Sequence, residues 1–281
     1  MTGGSVAMLE ACLPHVQRRI DSTQLLTYPF EHLVVENILP DDVYNEIMRR
    51  FPSGDSFVNV TSAYSSNFEF QFGNFTKPEF ERNFGALPPD ERAFWRAFSD
   101  RLCSTILRAC LRKMRPLIDA KLATLNGFGL LRERIDVDSF PSRQVWYESQ
   151  RLLVRTRGFG TDPHLDSGSA LVVGLLYLAT DDAHPHLGTD LYRICKPFDY
   201  PEEKLCDAVM VDKGNVELAY VTPYRPNTLA MMLTTERAVH GNRMREQDYF
   251  RNIVTIDAVL RKEVLNLPAP GQGRTFVVGP D

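Results

Sequence analysis

The residues most suggestive of chemistry in this sequence are His164 and Asp166, which stand two positions apart in Pro163-His-Leu-Asp-Ser167. In an extended strand, side chains at positions i and i+2 point to the same face of the sheet. An imidazole and a carboxylate held in this way can bind one metal ion together. The spacing alone does not separate such a site from an exposed loop, where His and Asp are common.

A third ligand is expected from His240, which follows the apolar run at 228–233. Two His and one carboxylate on one face of a metal, with the other positions open, are typical of non-haem iron(II) oxygenases. We therefore predict that His164, Asp166 and His240 bind iron and form the catalytic centre.

Arg251 follows His240 and begins an alternating run in which Arg251, Ile253 and Thr255 share one face. An Arg buried between two sheets needs an anion, and a ligand carboxylate would supply a bidentate partner. A salt bridge to an Asp or Glu of the chain itself is the alternative interpretation.

Other polar side chains are candidates for contact with an anionic or amino-acid-like substrate, although solvent exposure would explain any of the arginines as well. They are Gln150, Arg155, Arg157 and Arg193. His184 and His186 lie among Pro and acidic residues, so we interpret them as solvated loop residues.

The elements that position these residues divide into a mainly helical part, 28–140, and a strand-rich part. Val43, Ile47 and Phe51 recur every four residues and predict a helix that begins after Pro40. A longer helix is expected from about residue 90 until Pro116 breaks it, followed by a shorter one that stops at residue 127. Residues 55–85 show no helical period and are expected to be irregular.

From about residue 146 onward, short apolar or alternating runs separated by turn residues indicate an antiparallel β unit. Eight strands are predicted, a number that suits a double-sheet jelly roll. They span 150–157, 171–178, 189–194, 208–212, 215–221, 228–233, 238–242 and 250–259.

The composition is that of an ordinary globular protein of 281 residues, with 43% hydrophobic and 24% charged residues. A formal charge of −4 and no Lys/Arg-rich block argue against nucleic acid as a partner. Five cysteines without a CxxC pair suit a reducing cytoplasm, and we expect neither a signal peptide nor a membrane span. The oligomeric state is left open.

The order of the motifs resembles that of the 2-oxoglutarate/Fe(II)-dependent oxygenase superfamily, in particular its prolyl-hydroxylase-like branch. In that family a His-x-Asp precedes a strand ending in Tyr-Leu, a Gly-Thr strand, and a distal His followed by Arg or Lys. The matching residues here are His164-x-Asp166, Tyr177-Leu178, Gly188-Thr189, His240 and Arg251. The resemblance covers residues 150–260 and, more loosely, 28–52.

The resemblance implies one catalytic domain, 1–281, of the α+β class. Its core at 145–260 would be a double-stranded β-helix (jelly roll, cupin-like) with N-terminal helices packed on one sheet, and 261–281 would be an extension. Fe(II) would be the metal, with 2-oxoglutarate and O2 as co-substrates. Arg251 would bind the distal 2-oxoglutarate carboxylate with help from Tyr177, Thr255 and Thr189, although Tyr177 could be a core residue and Thr189 a simple strand start.

The expected activity is oxidation of a C–H bond in a small amino acid or a natural-product precursor, with succinate and CO2 as co-products. Hydroxylation is the default outcome, cyclisation and desaturation are open, and Asp166 disfavours halogenation because halogenating relatives lack this carboxylate. Two alternatives remain: a cupin-like metal enzyme that does not use 2-oxoglutarate, and a non-catalytic β-sandwich that binds a ligand or partner.

Overall fold

The computed structural model describes residues 3–60, 67–148, 150–156, 160–202, 205–243, 249–269 and 272–280. Within these ranges the chain combines helices with antiparallel sheets. The helices are α1 (Gly3–Ser22), α2 (Asp41–Arg49), α3 (Pro78–Ala86), α4 (Pro89–Ala97), α5 (Ser104–Lys113) and α6 (Arg115–Gly127). None of the helices in the described ranges has both the length and the hydropathy required to cross a bilayer.

Most of the strands begin at residue 145 or later. The strands are β1 (His32–Val35), β2 (Val58–Asn59), β3 (Asn67–Gly73), β4 (Val145–Tyr147), β5 (Gln150–Arg155), β6 (Thr161–Leu165), β7 (Ala170–Tyr177), β8 (Asp190–Ile194), β9 (Phe198–Pro201), β10 (Val209–Met210), β11 (Val216–Val221), β12 (Thr228–Leu233), β13 (His240–Asn242), β14 (Arg251–Leu260) and β15 (Thr275–Val278).

The larger sheet has eight strands, in the order β1-β12-β7-β14-β5-β3-β2, with β4 also paired to β14. Alternation along β14 sends Val254 and Ile256 into the main hydrophobic core, which this sheet shares with the helices. Arg251, Thr255 and Asp257 therefore point to the opposite face, towards the interior between the sheets.

The smaller sheet has five strands, in the order β10-β6-β13-β8-β11, and β9 and β15 form a separate pair. In this sheet β13 lies between β6 and β8, and the register sets His240 directly opposite His164. Arg251, at the start of β14 in the larger sheet, and the two histidines of the smaller sheet thus face the same interior between the sheets.

The helices pack through periodic apolar faces. In α1 the buried residues are Leu9, Cys12, Val16 and Ile20, and this face packs against α5. Between α4 and α5 the helix continues as a π-helical segment, Phe98–Cys103. The break predicted at Pro116 occurs at Met114, and Pro116 occupies the first turn of α6.

All eight predicted strands are present, each with ends within two residues of the expected positions where these are described. The helices predicted near residues 41, 90 and 116 are also present, and α6 ends at Gly127 as expected. The left-handed residue that closes α6 is Gly129, with a φ of 74°, while the Leu130 N–H bonds to the Leu125 carbonyl.

The expectation of an irregular segment at 55–85 is wrong. β3 and α3 lie within it, and β3 alternates so that Phe70 and Phe72 enter the core while Glu69 and Gln71 face the other way. Its aromatic side chains are therefore structural. The sequence patterns predicted no helix at α1 and no strand at β9 or β15, whereas the strand geometry expected around His164 corresponds to β6, which ends at Leu165.

Candidate metal centre and its cavity

The three predicted ligands converge on one point. His164 lies in β6, Asp166 follows that strand directly, and His240 begins β13. One ligand atom from each lies within 4.8 Å of the others, and no second such group occurs in the described part of the chain. The antiparallel pairing of β6 with β13 is what brings the distant histidine to this point.

The spacing of the donor atoms fits a single metal ion. His164 Nε2 lies 3.6 Å from Asp166 Oδ1, and His240 Nε2 lies 3.2 Å from Asp166 Oδ2. Two ligands about 2.1 Å from a metal and at right angles to each other stand about 3 Å apart. Two imidazoles and one carboxylate also form the donor set suited to Fe(II).

Both imidazoles are oriented by the main chain. His164 Nδ1 lies 2.8 Å from the Asp162 carbonyl oxygen, and His240 Nδ1 lies 3.0 Å from the Ala238 carbonyl oxygen. A carbonyl oxygen accepts but cannot donate, so in both residues Nδ1 carries the proton. Nε2 is then left with a lone pair directed at the shared point, as a metal ligand requires.

The charges of the triad support one another. Burial opposes ionisation of Asp166, but the imidazoles of His240 and His164 outweigh it and hold the pKa of that carboxyl well below its usual range. Burial would lower the pKa of His240, whereas the neighbouring Asp166 carboxylate raises it above its ordinary value. The site thus keeps a carboxylate ionised in a half-buried position.

The triad lines a cavity of ≈ 420 Å³ between the two sheets. Arg251, Thr255 and Thr189 line the same cavity, as predicted from the alternation of β14 and from the Gly-Thr motif. Such a volume, with a few convergent polar groups, suits a small ligand.

Arg251 is a buried cation in this cavity, with 5% of its surface exposed. Its Nη2 donates to Thr189 Oγ1 at 3.0 Å, and its Nε has no partner. Within the described ranges, no Asp or Glu forms an ion pair with it. The described residues therefore provide no internal salt bridge for Arg251. A buried guanidinium of this kind requires an anion from a ligand.

Tyr177 and Thr222 complete the surroundings of the arginine. The Tyr177 hydroxyl lies 2.9 Å from Thr189 Oγ1 and 2.6 Å from Thr222 Oγ1. The Arg251 guanidinium also stands 5.4 Å from the Tyr177 ring centroid and 5.9 Å from that of Tyr224. These contacts fix the guanidinium in place from two sides.

The glycine of the Gly-Thr motif has a packing role. A Cβ on Gly188 would lie 1.4 Å from the Thr222 carbonyl oxygen, so no larger residue fits without moving the main chain. This close approach lets the Thr189 N–H donate to Thr222 Oγ1 at 2.9 Å. Gly188 thereby holds Thr189 where it contacts Arg251.

Among the four candidates for substrate contact, only Arg155 lines the cavity within the described ranges. Gln150 is buried on the opposite face of β5 and hydrogen-bonds Ser99. Arg193 is exposed and pairs with Glu217 at 2.5 Å. The structure does not bring these two side chains to the site, and Arg157 lies outside the described residues.

Four charged residues of the cavity were not predicted from the sequence: Glu148, Arg151, Asp207 and Asp257. Two of them carry a sequence signal. Asp257 continues the alternation of Arg251 and Thr255, and Arg151 has the same parity as Arg155 in β5. Glu148 follows β4 in a loop, where alternation predicts nothing.

No family model matches this chain. No curated protein matches it either. Solved structures do resemble it, and they include prolyl hydroxylases and other 2-oxoglutarate/Fe(II) oxygenases.

Three examples illustrate the range of these structures. A Trichoplax adhaerens prolyl hydroxylase in complex with a hypoxia inducible factor peptide fragment is 12% identical, with 91% of each chain covered and a TM-score of 0.39. The epimerase SnoN from nogalamycin biosynthesis is 13% identical, with 93% of this chain and 92% of that chain covered and a TM-score of 0.40. HygX from Streptomyces hygroscopicus, with nickel, 2-oxoglutarate and hygromycin B bound, is 11% identical, with 85% and 84% covered and a TM-score of 0.38. At TM-scores below 0.5, these similarities assign no role to any residue of this chain.

Proposed function

We propose that the protein is an Fe(II)- and 2-oxoglutarate-dependent oxygenase that oxidises a C–H bond of a small molecule. The observation that carries the proposal is the buried Arg251, which lacks an acidic partner among the described residues and shares a cavity with a His-Asp-His triad. A metal site alone would suit many enzymes. A metal site together with an unmatched guanidinium suits a metal-binding co-substrate that also carries a carboxylate.

In this proposal His164, Asp166 and His240 hold Fe(II), and Arg251 binds the distal carboxylate of 2-oxoglutarate. Thr189 orients the guanidinium, Tyr177 orients Thr189, and Thr255 lines the cavity beside them. When bound, the metal supplies the coupling of 2-oxoglutarate and O2 to substrate oxidation, which yields succinate, CO2 and a hydroxylated product. The chain's own residues supply binding, orientation and a cavity with apolar walls such as Leu175 and Met232.

We propose further that the two sheets form a double-stranded β-helix, and that residues 1–281 act as a single catalytic unit. The support is the pairing of strands distant in sequence within two facing antiparallel sheets, with the helices packed against the larger one. An amino acid or a natural-product precursor remains the proposed substrate class, with hydroxylation as the default outcome.

The decisive experiment measures Fe(II) binding and succinate formation in the same samples. Purified protein receives Fe(II) and 2-oxoglutarate without oxygen, and the charge-transfer absorption of the Fe(II)–keto-acid chelate is recorded. Air is then admitted and succinate is quantified. We expect the absorption band and iron-dependent succinate formation in the unmodified protein.

Two variants provide the matched comparison. Asp166→Ala removes a ligand and should weaken Fe(II) binding by more than the roughly 10–100-fold that follows loss of an outer-shell partner. Asp162→Ala removes an acid from the same strand that pairs with Lys213 and should leave binding unchanged. Equal Fe(II) binding by Asp166→Ala and the unmodified protein would contradict the ligand assignment. Iron binding without 2-oxoglutarate binding would favour a cupin-like enzyme that does not use this co-substrate.

A further inference from the structure

The cavity is electrically polarised along β14. Arg251, Thr255 and Asp257 all line it, and the six residue steps from Arg251 to Asp257 span about 20 Å of extended strand. One end of the cavity wall is therefore cationic and the other is acidic. The proposed function accounts for the cationic end and leaves the acidic end without a role.

Asp257 is a buried carboxyl with 4% of its surface exposed. Its Oδ1 accepts the N–H of Gly174 at 3.2 Å, while Oδ2 has no hydrogen-bond donor among the described residues. Burial and the nearby charge of Glu148 raise the pKa of Asp257 well above its usual value. A buried carboxylate is costly unless a cation or several donors match it, and this one has a single N–H.

Glu148 stands at the same end of the cavity. Its N–H donates to the Asp257 carbonyl oxygen at 3.3 Å, which brings the two residues together where β4 ends beside β14. Its side chain lines the cavity, and burial raises the pKa of this carboxyl as well. Glu148 is more exposed than Asp257, so it lies nearer the opening.

One cation of the chain approaches these carboxyls without matching them. The charge of Arg151 opposes the rise in the pKa of Glu148 and Asp257 without cancelling it. Its Nη1 lies 3.5 Å from Glu69 Oε1, and its Nε has no hydrogen-bond partner. One guanidinium thus faces three carboxyl groups. The acidic end therefore holds more carboxyl groups than this one guanidinium can match.

The acidic end also lies beside the metal centre. Asp166, Glu148 and Asp257 line the same cavity, and the charge of Asp166 contributes to the raised pKa of the other two. A group bound at Asp257 would therefore stand near the reacting position. The distal carboxylate of the co-substrate would occupy the opposite end, at Arg251.

We propose that Asp257 and Glu148 form the substrate-recognition end of the cavity and bind a cationic nitrogen, an ammonium or guanidinium group, of the primary substrate. This inference rests on the proposed function, because it uses the metal centre and Arg251 to define which end remains for the substrate. It narrows the substrate class to amine- or guanidine-bearing compounds.

The test uses a minimal probe and its uncharged isostere. Protein loaded with Mn(II) and 2-oxoglutarate is titrated with methylguanidinium or with methylurea, and paramagnetic broadening of the probe methyl signal is followed by proton NMR. Broadening requires the probe to bind near the metal. Ethylguanidinium and ethylurea, which carry no other charged group, form a second charged and uncharged pair of nearly equal shape.

We expect the proton signals of methylguanidinium and ethylguanidinium to broaden at concentrations at least tenfold lower than those of their neutral isosteres. Asp257→Asn should remove this difference, and Glu148→Gln should reduce it. The control Glu217→Gln, an exposed acid paired with Arg193 outside the cavity, should leave it unchanged. Equal broadening by the charged and neutral probes, no broadening by either, or an unchanged preference in Asp257→Asn would each overturn the inference. Mn(II) and 2-oxoglutarate affinities, measured in the same samples, report separately on the proposed function.

Discussion

Replacement of Arg251 by methionine should raise the thermal stability of the ligand-free protein. It should also weaken 2-oxoglutarate binding and so reduce the stability that the ligand adds. The guanidinium is 5% exposed and lacks an acidic partner among the described residues, so the fold carries the cost of a buried cation. Methionine fills similar space without charge. The two effects have opposite signs, and few explanations other than an anion site predict both.

The magnitudes follow from the contacts. Removing one partner of a buried, hydrogen-bonded charge pair costs about 2–5 kcal/mol of binding, which corresponds to roughly 30- to 4,000-fold in Kd. Replacing buried charge with an apolar side chain is neutral or stabilises by about 1–4 kcal/mol. For a domain of this size each kcal/mol shifts Tm by roughly 2–4 °C.

Thermal unfolding with Mn(II), with and without 2-oxoglutarate, measures both effects. At a ligand concentration of about 100 Kd the unmodified protein should gain about 2.7 kcal/mol, whereas a roughly 30- to 4,000-fold higher Kd leaves Arg251→Met a gain of about 0.9 kcal/mol or less. Arg193→Met, an exposed arginine paired with Glu217, is the matched control and should behave as the unmodified protein. The reasoning is refuted if Arg251→Met retains the ligand-induced shift, or if its ligand-free Tm falls by several degrees.

Three further variants test the surroundings of the site. Gly188→Ala places a Cβ against the Thr222 carbonyl oxygen. It should destabilise the fold by about 3 kcal/mol, measured by urea unfolding, and should weaken 2-oxoglutarate binding. An unchanged urea midpoint would contradict the packing argument. Tyr177→Phe leaves the hydroxyls of Thr189 and Thr222 without their shared partner and should cost about 1–2 kcal/mol of stability, with a smaller loss of 2-oxoglutarate affinity than in Arg251→Met. Burial lowers the pKa of Lys121 from 10.5 to about 7, so the unfolded chain binds more protons than the folded one between these values and stability should rise with pH across that window. Lys121→Met should abolish that rise in urea unfolding measured at a series of pH values, and an identical pH dependence in both proteins would show that Lys121 is not its source.

The clustering of His164, Asp166 and His240 could be predicted because it depends on local strand alternation and on the order of the motifs. His164 and Asp166 follow from strand alternation, and His240 follows from its position before Arg251 in the sequence. The partner of each strand is a different matter. That β13 pairs with β6, and not with another strand, depends on the whole sheet, which short-range patterns do not encode.

The errors among the substrate-contact candidates have simple physical causes. Gln150 and Arg155 differ by an odd number of positions in one strand, so they face opposite sides of the sheet and cannot both reach one cavity. Arg193 has its partner on a neighbouring strand, where the register places Glu217 opposite it. Asp257 could have been predicted from the same alternation that found Arg251 and Thr255, but no motif draws attention to it.

The segment at 55–85 shows how a strong local signal can be hidden. Its Phe68, Phe70 and Phe72 alternate with polar residues, which is a strand pattern, yet the Ser, Asn and Gly residues around them favoured an irregular interpretation. The polar face of β3 is buried as well, because Glu69 lies beside Arg151 and Gln71 hydrogen-bonds Glu69. Tertiary contacts, not local propensity, decide this strand.

The main-chain carbonyls behind the two histidines have a consequence for how this site can change over time. Because Asp162 and Ala238 contribute backbone oxygens, the Nδ1 proton of each imidazole is held by the main chain and not by a side chain. Substitutions around the cavity can therefore change which substrate is recognised while both imidazoles keep the same tautomer. The chemistry and the selectivity of the protein are then separate traits, free to diverge independently within one scaffold.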